Sequence, residues 1–531
     1  MDYSNTKIDL VYLWVDGSDI EWAKRKAKML SEIADIKLNS DSIDRCRFQD
    51  NNELLYSLRS VEKNLPWINH IYIVTANQKP SWLNLDHKKI TLVSHDEIMD
   101  DYSLPTFNAC SIESYLTRIP NLSEYFIYAN DDMFFFNETK PELFFDKEMK
   151  PIYQMGKKIF NKPYNHLYGN SVVKGHNLIK KKFNKSVGYF PHHGVDPYKK
   201  SYIDECIEIF KEEFETTRHN HFRSFSDLQR TVFAYYAIVE KGCKFEIAPE
   251  DSYAECRKGQ LEALSKSKFP LACINSGRKT KPDDIEMMKN ILQNKFPKIS
   301  SFENNKRTIN VCFVANDSQA EDLYFSLLSI LKSKNPNESI TAWIINSGIK
   351  EQNINNIKSF EKNFDCSINF VELNIKQEDK EKLLQENHIR ACCNILFSDA
   401  IKSDRVIYMD NNVNVNQSLL ELYDSDFEEN YILSAVDITS RDNLPSVKIV
   451  NCGIMLINLD NLRKSNIKYK NDISDVITAD KIKYIKNNIK MASDRNRFTS
   501  PFGIFHPTEL KNLVKNIFPF KSKDKVKKVL K

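Results

Sequence analysis

The sequence predicts an α/β protein with two Rossmann-like domains, each built around a mostly parallel, twisted sheet. Short apolar strands alternate with helical patterns twice along the chain, which is typical of parallel strands joined by helices. The 531 residues are 41% hydrophobic, enough for roughly two to four domains with proper cores. A polar, lysine-rich stretch with prolines separates the two series. We therefore expect domains at residues 1–276 and 308–510, joined by a linker at 277–307 and followed by a basic tail at 511–531.

The first strand of the amino-terminal half spans residues 8–14, and Asp16 follows its carboxyl end. After a lysine-rich helical segment at residues 22–36, a second helix has an apolar face, and the residues at its amino-terminal end are polar: Asp50, Asn51, Asn52 and Glu53. The N–H groups at a helix amino terminus bind anions. Asp50 and Glu53 also fit a capping box, which needs no ligand, and both interpretations can hold at once.

Two further strands lead to a strongly aromatic stretch at residues 124–136, which is interrupted by Asn130, Asp131 and Asp132. In α/β proteins, ligands bind outside the carboxyl ends of the strands, where one or two carboxylates hold a divalent cation against substrate phosphates. The same residues also suit an Asx turn that serves only the local backbone. Because Asp16 follows another strand of the same parallel sheet, we expect these acids to converge on one rim, which favours a metal and diphosphate site.

The region at residues 151–275 carries two further pairs of candidate groups. His192 and His193 lie in a loop beside a glycine and suit a base or a phosphate ligand, or only a polar surface feature. Arg223 and Asp227 precede an aromatic-rich helix and suit phosphate binding, or only the capping of that helix. The residues alone leave both pairs open.

The carboxyl-terminal half repeats the alternation of strands and helices. Asp410 follows its strand in the way that Asp131 follows the corresponding strand of the first half. Asn412 stands where a second carboxylate would complete a pair. An amide keeps one oxygen ligand but lacks the charge, so we expect weaker metal binding in this half.

Composition and charge limit the class of protein. The net charge is only +4, and no recognition motif accompanies the lysine-rich tail, so we expect no nucleic acid partner. The 11 cysteines show no Cys-x-x-Cys pattern, which favours reduced thiols in the cytoplasm and gives no support to a zinc site. No apolar run approaches the roughly 18 residues that span a bilayer, and the amino terminus lacks a signal-peptide pattern, so we do not expect secretion. The tail suits contact with the inner face of the cytoplasmic membrane, or a solvated terminus.

Several blocks in the first half resemble the Stealth protein family. They occur in order at residues 11–17, 47–60 and 126–132, and a looser match covers residues 191–196. The family comprises hexose-1-phosphate transferases, including bacterial capsule polymerases. The resemblance implies a UDP-hexose or UDP-N-acetylhexosamine donor, an oligosaccharide or capsule polymer acceptor, release of UMP, and Mg²⁺ or Mn²⁺. The fourth family block fits residues 271–276 poorly, because the expected acid is absent.

The resemblance also implies roles for residues of the first half. Asp131 and Asp132 would hold the metal against the diphosphate of the donor. Residues that would bind the donor are Asn51, Asn52, Arg59, Asn130 and Asp227. Residues that would act in catalysis are Asp16, Asp50, Glu53, His192, His193 and Arg223. We prefer either histidine as the base, with the acids of the helix terminus as competitors, and Arg59 is an alternative to Arg223 as the bidentate phosphate partner.

The second half is similar to the glycosyltransferases of family eight, retaining enzymes that use UDP-hexoses with Mn²⁺. The blocks that carry this similarity lie at residues 405–412 and 451–459. Metal binding is implied for Asp410, Asn412 and His506, and donor binding for Asn451 and Gly453. Both halves would then be GT-A-like, nucleotide-sugar-binding domains.

The sequence therefore predicts a bifunctional capsular polysaccharide polymerase, whose first domain adds hexose phosphate and whose second domain adds a hexose. Three alternatives stay open. The second domain can be a glycan-binding module without activity, or the first can be an ordinary metal-dependent glycosyltransferase that releases UDP instead of UMP. The whole chain can also bind glycans without chemistry, although the paired acids argue against this.

Overall fold

The computed structural model describes residues 6–33, 38–159, 164, 166–372, 401–415, 417–427, 432–436, 450–464 and 482–485. The chain divides into two compact units, Met1–Asn304 and Asn305–Lys531. The predicted metal ligand His506 and the predicted basic tail at 511–531 lie outside the described residues. None of the described helices is long and apolar enough to cross a membrane.

The first unit combines short strands with helices of very different lengths. Its described strands are β1 (Ile8–Leu13), β2 (Ile71–Thr75), β3 (Ile90–Ser94), β4 (Tyr125–Asn130), β5 (Met133–Phe135), β6 (Ile152–Lys158), β7 (Tyr189–Pro191), β8 (Asp196–Lys199), β9 (Lys244–Ile247), β10 (Tyr253–Glu255) and β11 (Leu271–Asn275). Its described α-helices are α1 (Ile20–Glu32), α2 (Glu53–Asn64), α3 (His95–Ile98), α4 (Ala109–Glu113), α5 (Leu167–Phe183), α6 (Lys200–Ile209), α7 (Lys211–Arg218), α8 (Thr231–Lys241), α9 (Lys258–Leu264) and α10 (Pro282–Lys295). The strands form a five-stranded sheet and two three-stranded sheets, of orders β10-β11-β5 and β7-β6-β9.

The five-stranded sheet has the order β3-β2-β1-β4-β8, and β8 is its antiparallel strand. The chain runs from β1 toward β2 and β3 and later returns to the other side of β1 with β4, so the strand order reverses between β1 and β4. Such a reversal opens a crevice at the carboxyl ends of the two strands, where ligands of α/β proteins bind. Leu13 pairs with Asn130, so the residues just beyond these two positions share one rim.

Strand β1 is buried on both faces. Leu10 and Tyr12 belong to one core cluster of the unit, and Val11 and Leu13 belong to another. This alternation follows from the period of two in a strand and is typical of a parallel strand covered on both sides. The packing fixes the position of the polar residues that follow the strand.

The segment predicted as a linker, residues 277–307, is instead part of the first unit as far as Asn304. Helix α10 buries Met288 and Leu292 in the same core cluster as α2. The boundary predicted at residue 276 therefore comes too early. The many charged and amide residues of α10 made the segment look like a linker when it was judged by composition alone.

The second unit is built around one mixed sheet. Its described strands are β12 (Arg307–Ala315), β13 (Glu338–Asn346), β14 (Cys366–Glu372), β15 (Arg405–Met409), β16 (Ile432–Val436), β17 (Val450–Asn458) and β18 (Ile482–Ile485). Its described α-helices are α11 (Ala320–Ser333), α12 (Glu351–Lys358), α13 (Leu420–Tyr423) and α14 (Leu459–Lys464). The order is β14-β13-β12-β15-β17-β16-β18, with β14, β13, β12 and β15 parallel and β17 antiparallel to both neighbours. The order reverses between β12 and β15, and the α/β class with parallel strands is confirmed for both units.

Candidate active site

Asp131 and Asp132 form the turn between β4 and β5. Strand β5 pairs with β11, where Cys273 lies opposite Met133, so strands of two sheets hold this turn. Both aspartates are partly buried, and Oδ1 of Asp132 is buried without a hydrogen-bond partner among the described residues. A buried acceptor of this kind is costly unless it gains a partner. A local Asx turn therefore does not account for Asp132.

Asp132 lies beside a histidine and a cysteine from other parts of the chain. One ligand atom each from Asp132, His193 and Cys273 lie within 4.8 Å of one another. A carboxylate and an imidazole suit Mn²⁺, and a thiolate is a softer ligand that suits Zn²⁺. Burial and the neighbouring Asp132 raise the pKa of the Cys273 thiol, so this thiol keeps its proton unless a cation displaces it. The residues present fit a divalent cation.

Three acids of this rim, Asp50, Asp131 and Asp132, have raised pKa values. Burial and the carboxylates of Asp132 and Glu53 raise the pKa of Asp131 well above its ordinary value. Burial and Glu53 raise the pKa of Asp132 to about 7. Burial, Glu53 and Asp16 also raise the pKa of Asp50. Neighbouring like charges disfavour ionisation, and a divalent cation would relieve the repulsion. The three acidic segments therefore lie within electrostatic range of one another, as the strand order led us to expect.

Asp16 is fixed at the end of β1 by its own turn. Its Oδ1 accepts hydrogen bonds from the N–H and the Oγ of Ser18, at 2.8 and 2.6 Å. The N–H of Gly17 donates to Phe48 O at 2.6 Å, and a Cβ at Gly17 would lie only 2.5 Å from that oxygen. Only glycine permits this approach, which brings the start of the Asp50 segment to the same rim.

The amino-terminal end of α2 differs from the predicted capping box. The cap is Asn52, which has a left-handed φ of 69° and makes no side-chain cap. The N–H of Asn52 donates to Asp50 Oδ1 at 3.0 Å. Buried Glu53 accepts hydrogen bonds from the N–H and the Nδ2 of Asn51, while Gln49 Nε2 donates to Asn51 Oδ1. The Asn51 side chain therefore stabilises the loop, while its role in donor binding stays a prediction, and the two acids remain on the rim.

The two histidines have different surroundings. His192 Nε2 lies 3.0 Å from Ser252 Oγ, and burial lowers its pKa to about 4. Asn275 Nδ2 donates to His193 Nε2 at 3.3 Å, and burial, reinforced by the charge of Arg230, lowers the pKa of His193 to about 3. Both imidazoles are therefore neutral at physiological pH. Only His193 belongs to the cluster with Asp132.

Arg223 and Asp227 have separate roles. The Arg223 guanidinium forms no hydrogen bond or ion pair with the described residues, yet its charge helps to lower the pKa of His193. It therefore remains a candidate phosphate ligand near the site. Asp227 is buried and accepts hydrogen bonds from Asn220, Asn108 and the N–H of Ser224. Its carboxylate organises the loop before α8, and its role in donor binding stays a prediction that these contacts do not support.

Arg59 also differs from its expected role. Its guanidinium is 3% exposed and donates to both carboxylate oxygens of Glu303, at 2.8 and 2.7 Å. It donates as well to Phe296 O at 3.1 Å. These partners occupy the guanidinium, so Arg59 joins α2 to the segment after α10, and its predicted role in donor binding gains no support from the structure.

Sequence reasoning missed Cys273 and a buried charge network around Arg230. The missing Cys-x-x-Cys pattern argued against a cysteine ligand, but folding brings Cys273 to Asp132 from a distant strand. Arg230 Nε donates to Asp196 Oδ2 at 2.7 Å, and its Nη1 donates to Glu113 Oε1 at 3.0 Å. The signal for this network was an arginine directly before the aromatic-rich helix α8.

The second unit places Asp410 just beyond β15, at its own strand reversal. Tyr408 Oη donates to Asp410 Oδ1 at 3.1 Å. Asn411 Nδ2 donates to Val314 O at 2.6 Å, while its Oδ1 is buried without a partner among the described residues. Asn412 is exposed. Asn451 and Gly453 lie in β17, and the metal and donor roles of this set stay predictions.

Models of known families match both units. The models described as Stealth protein CR1, conserved region 1, and Stealth protein CR2, conserved region 2, match residues 6–33 and 47–153. The model described as Glycosyl transferase family 8 matches residues 310–475. The two resemblances drawn from the motifs are thus confirmed.

Curated relatives match about half of the chain. A capsular polysaccharide phosphotransferase of Haemophilus influenzae is 37% identical over 255 residues, 46% of this chain and 69% of that protein. An exopolysaccharide phosphotransferase of Mycobacterium leprae is 35% identical over 51% of each chain. A capsular polysaccharide phosphotransferase of Actinobacillus pleuropneumoniae is 37% identical over 44% of this chain and 64% of that protein. The chain thus spans about half to two thirds of the length of these relatives.

Two solved structures show weaker likeness. The galactosyltransferase LgtC in complex with donor and acceptor sugar analogues is 20% identical, with a TM-score of 0.28, covering 33% of this chain and 73% of that chain. The WbbM bifunctional glycosyltransferase is 11% identical, with a TM-score of 0.25, covering 78% of this chain and 86% of that chain. Similarities this low say nothing about activity. The match to more than two thirds of the Haemophilus influenzae protein and to both conserved regions shows that the chain belongs to the Stealth family of polysaccharide phosphotransferases.

Proposed function

We propose that the first unit transfers hexose 1-phosphate from a UDP-hexose or UDP-N-acetylhexosamine to an acceptor sugar hydroxyl, with release of UMP. The observation that carries this proposal is the Asp131 and Asp132 pair at the strand reversal, where Asp132 Oδ1 is buried without a partner among the described residues. Hard cations at such positions are held by one or two carboxylates plus substrate phosphates. The names of the curated relatives support phosphate transfer.

In this reaction the acceptor oxygen attacks the phosphorus next to the donor sugar. The bond from that phosphorus to the UMP oxygen breaks, UMP leaves with the electron pair, and the hydroxyl proton passes to a base. When bound, Mg²⁺ or Mn²⁺ would neutralise charge on the diphosphate. Asp131 and Asp132 would hold that cation, and Arg223 would pair with a phosphate oxygen.

We assign the base to His193. His192 does not belong to the cluster with Asp132, and the Glu53 carboxylate already accepts two hydrogen bonds from Asn51. His193 is neutral and lies beside Asp132. The negative charge of a bound diphosphate would raise its pKa from the low value of the protein alone toward the range of an effective base.

We propose further that the second unit adds a hexose from a second UDP-sugar, with release of UDP, and that both units are GT-A-like nucleotide-sugar-binding domains. The order β14-β13-β12-β15 repeats the order β3-β2-β1-β4 and places Asp410 at a matching strand end. The acceptor would be an oligosaccharide or the growing capsule polymer. The UDP-sugar donors imply a cytoplasmic reaction, at the membrane if the basic tail binds anionic lipid.

The test uses the purified full chain with Mn²⁺ or Mg²⁺, a panel of UDP-hexoses and UDP-N-acetylhexosamines, and oligosaccharide primers. We expect UMP, resolved from UDP by chromatography, together with a phosphodiester signal in the ³¹P spectrum of the product. Release of UDP alone would overturn phosphate transfer and favour an ordinary glycosyltransferase in the first unit. Release of neither nucleotide would leave glycan binding as the better account. UMP without UDP would make the second unit a non-catalytic module.

A further inference from the structure

A buried charge network lies behind the proposed site. Arg230, Glu113 and Asp196 are 4%, 2% and 4% exposed. Arg230 precedes α8, Glu113 ends α4 and Asp196 begins β8. The arginine bonds one carboxylate through Nε and the other through Nη1, at 2.7 and 3.0 Å. One side chain thus joins three elements of the first unit.

The Glu113 arm of the network reaches the acidic turn. Glu113 Oε1 accepts a hydrogen bond from Tyr128 Oη at 3.0 Å. The same hydroxyl lies 2.9 Å from Asn130 Oδ1. Asn130 is the last residue of β4, directly before Asp131. A continuous chain of polar contacts therefore links Arg230 to the residue that precedes the aspartate pair.

The Asp196 arm reaches the histidine loop. Asp196 lies three residues after His193 and pairs with Tyr128 across β8 and β4. Its Oδ2 also lies 3.4 Å from Tyr198 Oη. Strand pairing and the bond from Arg230 to Asp196 therefore hold the same residue, three positions after His193.

Arginine is suited to this task, whereas lysine is not. The planar guanidinium presents several donors in a fixed fork, so it can hold two carboxylates at a defined separation, while an ammonium is a single point charge on a flexible stem. Two buried carboxylates share one buried guanidinium. Such an arrangement contributes little net stability, which favours a geometric role over a stabilising one.

We infer that Arg230 is a positioning residue. Through Glu113 and Tyr128 it sets the position of the Asp131 and Asp132 pair, and thereby the affinity of the site for a divalent cation, and through Asp196 it sets the position of His193. The consequence for phosphate transfer rests on the proposed function. The consequence for cation binding does not, because it can be measured without donor or acceptor.

The test is calorimetric titration of the full chain with Mn²⁺ alone. We expect Arg230→Lys to weaken binding in the first unit about 10-fold to 100-fold, the range found when residues that orient metal ligands are removed. The parent and the Arg230→Lys chain are both titrated with Asp410→Asn in place, so that the second unit does not contribute to Mn²⁺ binding. Tyr128→Phe removes only the hydroxyl between Glu113 and Asn130 and should weaken binding by a smaller factor in a chain that folds normally.

The matched control is Arg59→Lys, because Arg59 is an equally buried arginine paired with a carboxylate, Glu303, and takes part in neither arm of the network. It should lower the melting temperature without changing Mn²⁺ affinity. The inference would be overturned if Arg230→Lys and Tyr128→Phe both bound Mn²⁺ as tightly as the parent. It would also be overturned if Arg59→Lys lost as much Mn²⁺ affinity as Arg230→Lys. A parent that binds no Mn²⁺ in the first unit would overturn it as well.

A second readout separates this inference from the proposed function. With donor and primer, Arg230→Lys should lower kcat for UMP release while the donor KM changes less than about threefold. If the parent chain releases no UMP, the proposed function fails, and the Mn²⁺ comparison still decides the role of Arg230. If UMP release is present and Arg230→Lys leaves Mn²⁺ binding intact, only the positioning role fails.

Discussion

The two units carry a polar strand end at the same topological position, but the chemistry of the two ends differs. In the first unit, Asp131 and Asp132 are buried near other carboxylates, and both burial and these charges raise their pKa values. In the second unit, Asp410 is followed by two amides, and Asn411 bonds the backbone of β12 while Asn412 is exposed. The repeated strand order thus puts a possible ligand site at the same position in both units. The two or three residues beyond the strand determine how much negative charge a cation would neutralise there.

The difference also concerns the partners that folding brings to each strand end. His193 and Cys273 reach Asp132 from a loop and a separate sheet. Among the described residues of the second unit, no comparable group of three ligands surrounds Asp410. We therefore expect the first unit to depend more steeply on divalent cation than the second.

The largest effect expected is that of Asp132→Asn. It should lower UMP release on the order of 1000-fold or more, because several kcal/mol of charge neutralisation depend on the cation it would hold. Release of UDP by the second unit should remain. Asp410→Asn should do the reverse, as followed by chromatography of both nucleotides. Equal losses in both variants would break the proposed division between the units.

The next effect expected is that of His193→Gln, which keeps a polar side chain but cannot accept a proton. UMP release should fall about 100-fold to 10,000-fold, the usual contribution of a general base. Calorimetry should show Mn²⁺ binding reduced far less than in Asp132→Asn. If both variants lose Mn²⁺ binding equally, His193 is a metal ligand and the base lies elsewhere. His192→Gln, with its contact to Ser252, serves as the control and should lose little activity.

A smaller effect is expected from Asn412→Asp, which gives the second unit the paired acid of the first. Cation affinity rises with the number of charged ligands, so half-maximal UDP release should need about tenfold less Mn²⁺. The Mn²⁺ dependence of UMP release provides the internal control and should not move. An unchanged Mn²⁺ requirement would show that this position does not bind the metal.

The smallest effect expected is a pH-dependent shift in melting temperature. The pKa of Asp132 rises from 3.8 to about 7 in the folded chain, so the folded state holds the proton more tightly than the unfolded state does. Without metal, the contribution of this carboxyl to stability is therefore full below about pH 4 and is lost as the pH rises through about 7. Because Mn²⁺ binds the deprotonated acid, it should raise the melting temperature of the first unit by a few degrees more at pH 8 than at pH 5.5. Asp132→Asn should abolish that difference.

The segments of the site could be predicted, but several assignments within them could not. Asp131 and Asp132 were recognisable because carboxylates rarely interrupt so apolar a stretch, and their place beyond β4 is as expected. Arg59 and Asp227 have residue types that suit phosphate or donor binding. The structure instead pairs Arg59 with Glu303 and surrounds Asp227 with donors from its own loop. Residue type and spacing do not reveal such partners, which lie far away in the sequence or within a loop of irregular shape.

By itself, the sequence determined the α/β class, the two series of strands and the acids at their ends, because periodicity and the chemistry of strand termini are local properties. Its motifs also determined the family. Only the tertiary structure decided that residues 277–304 complete the first core, that Cys273 and His193 meet Asp132, and that Arg230 joins Glu113 to Asp196. These contacts depend on the order and pairing of strands that are distant in the chain, and no local pattern specifies them.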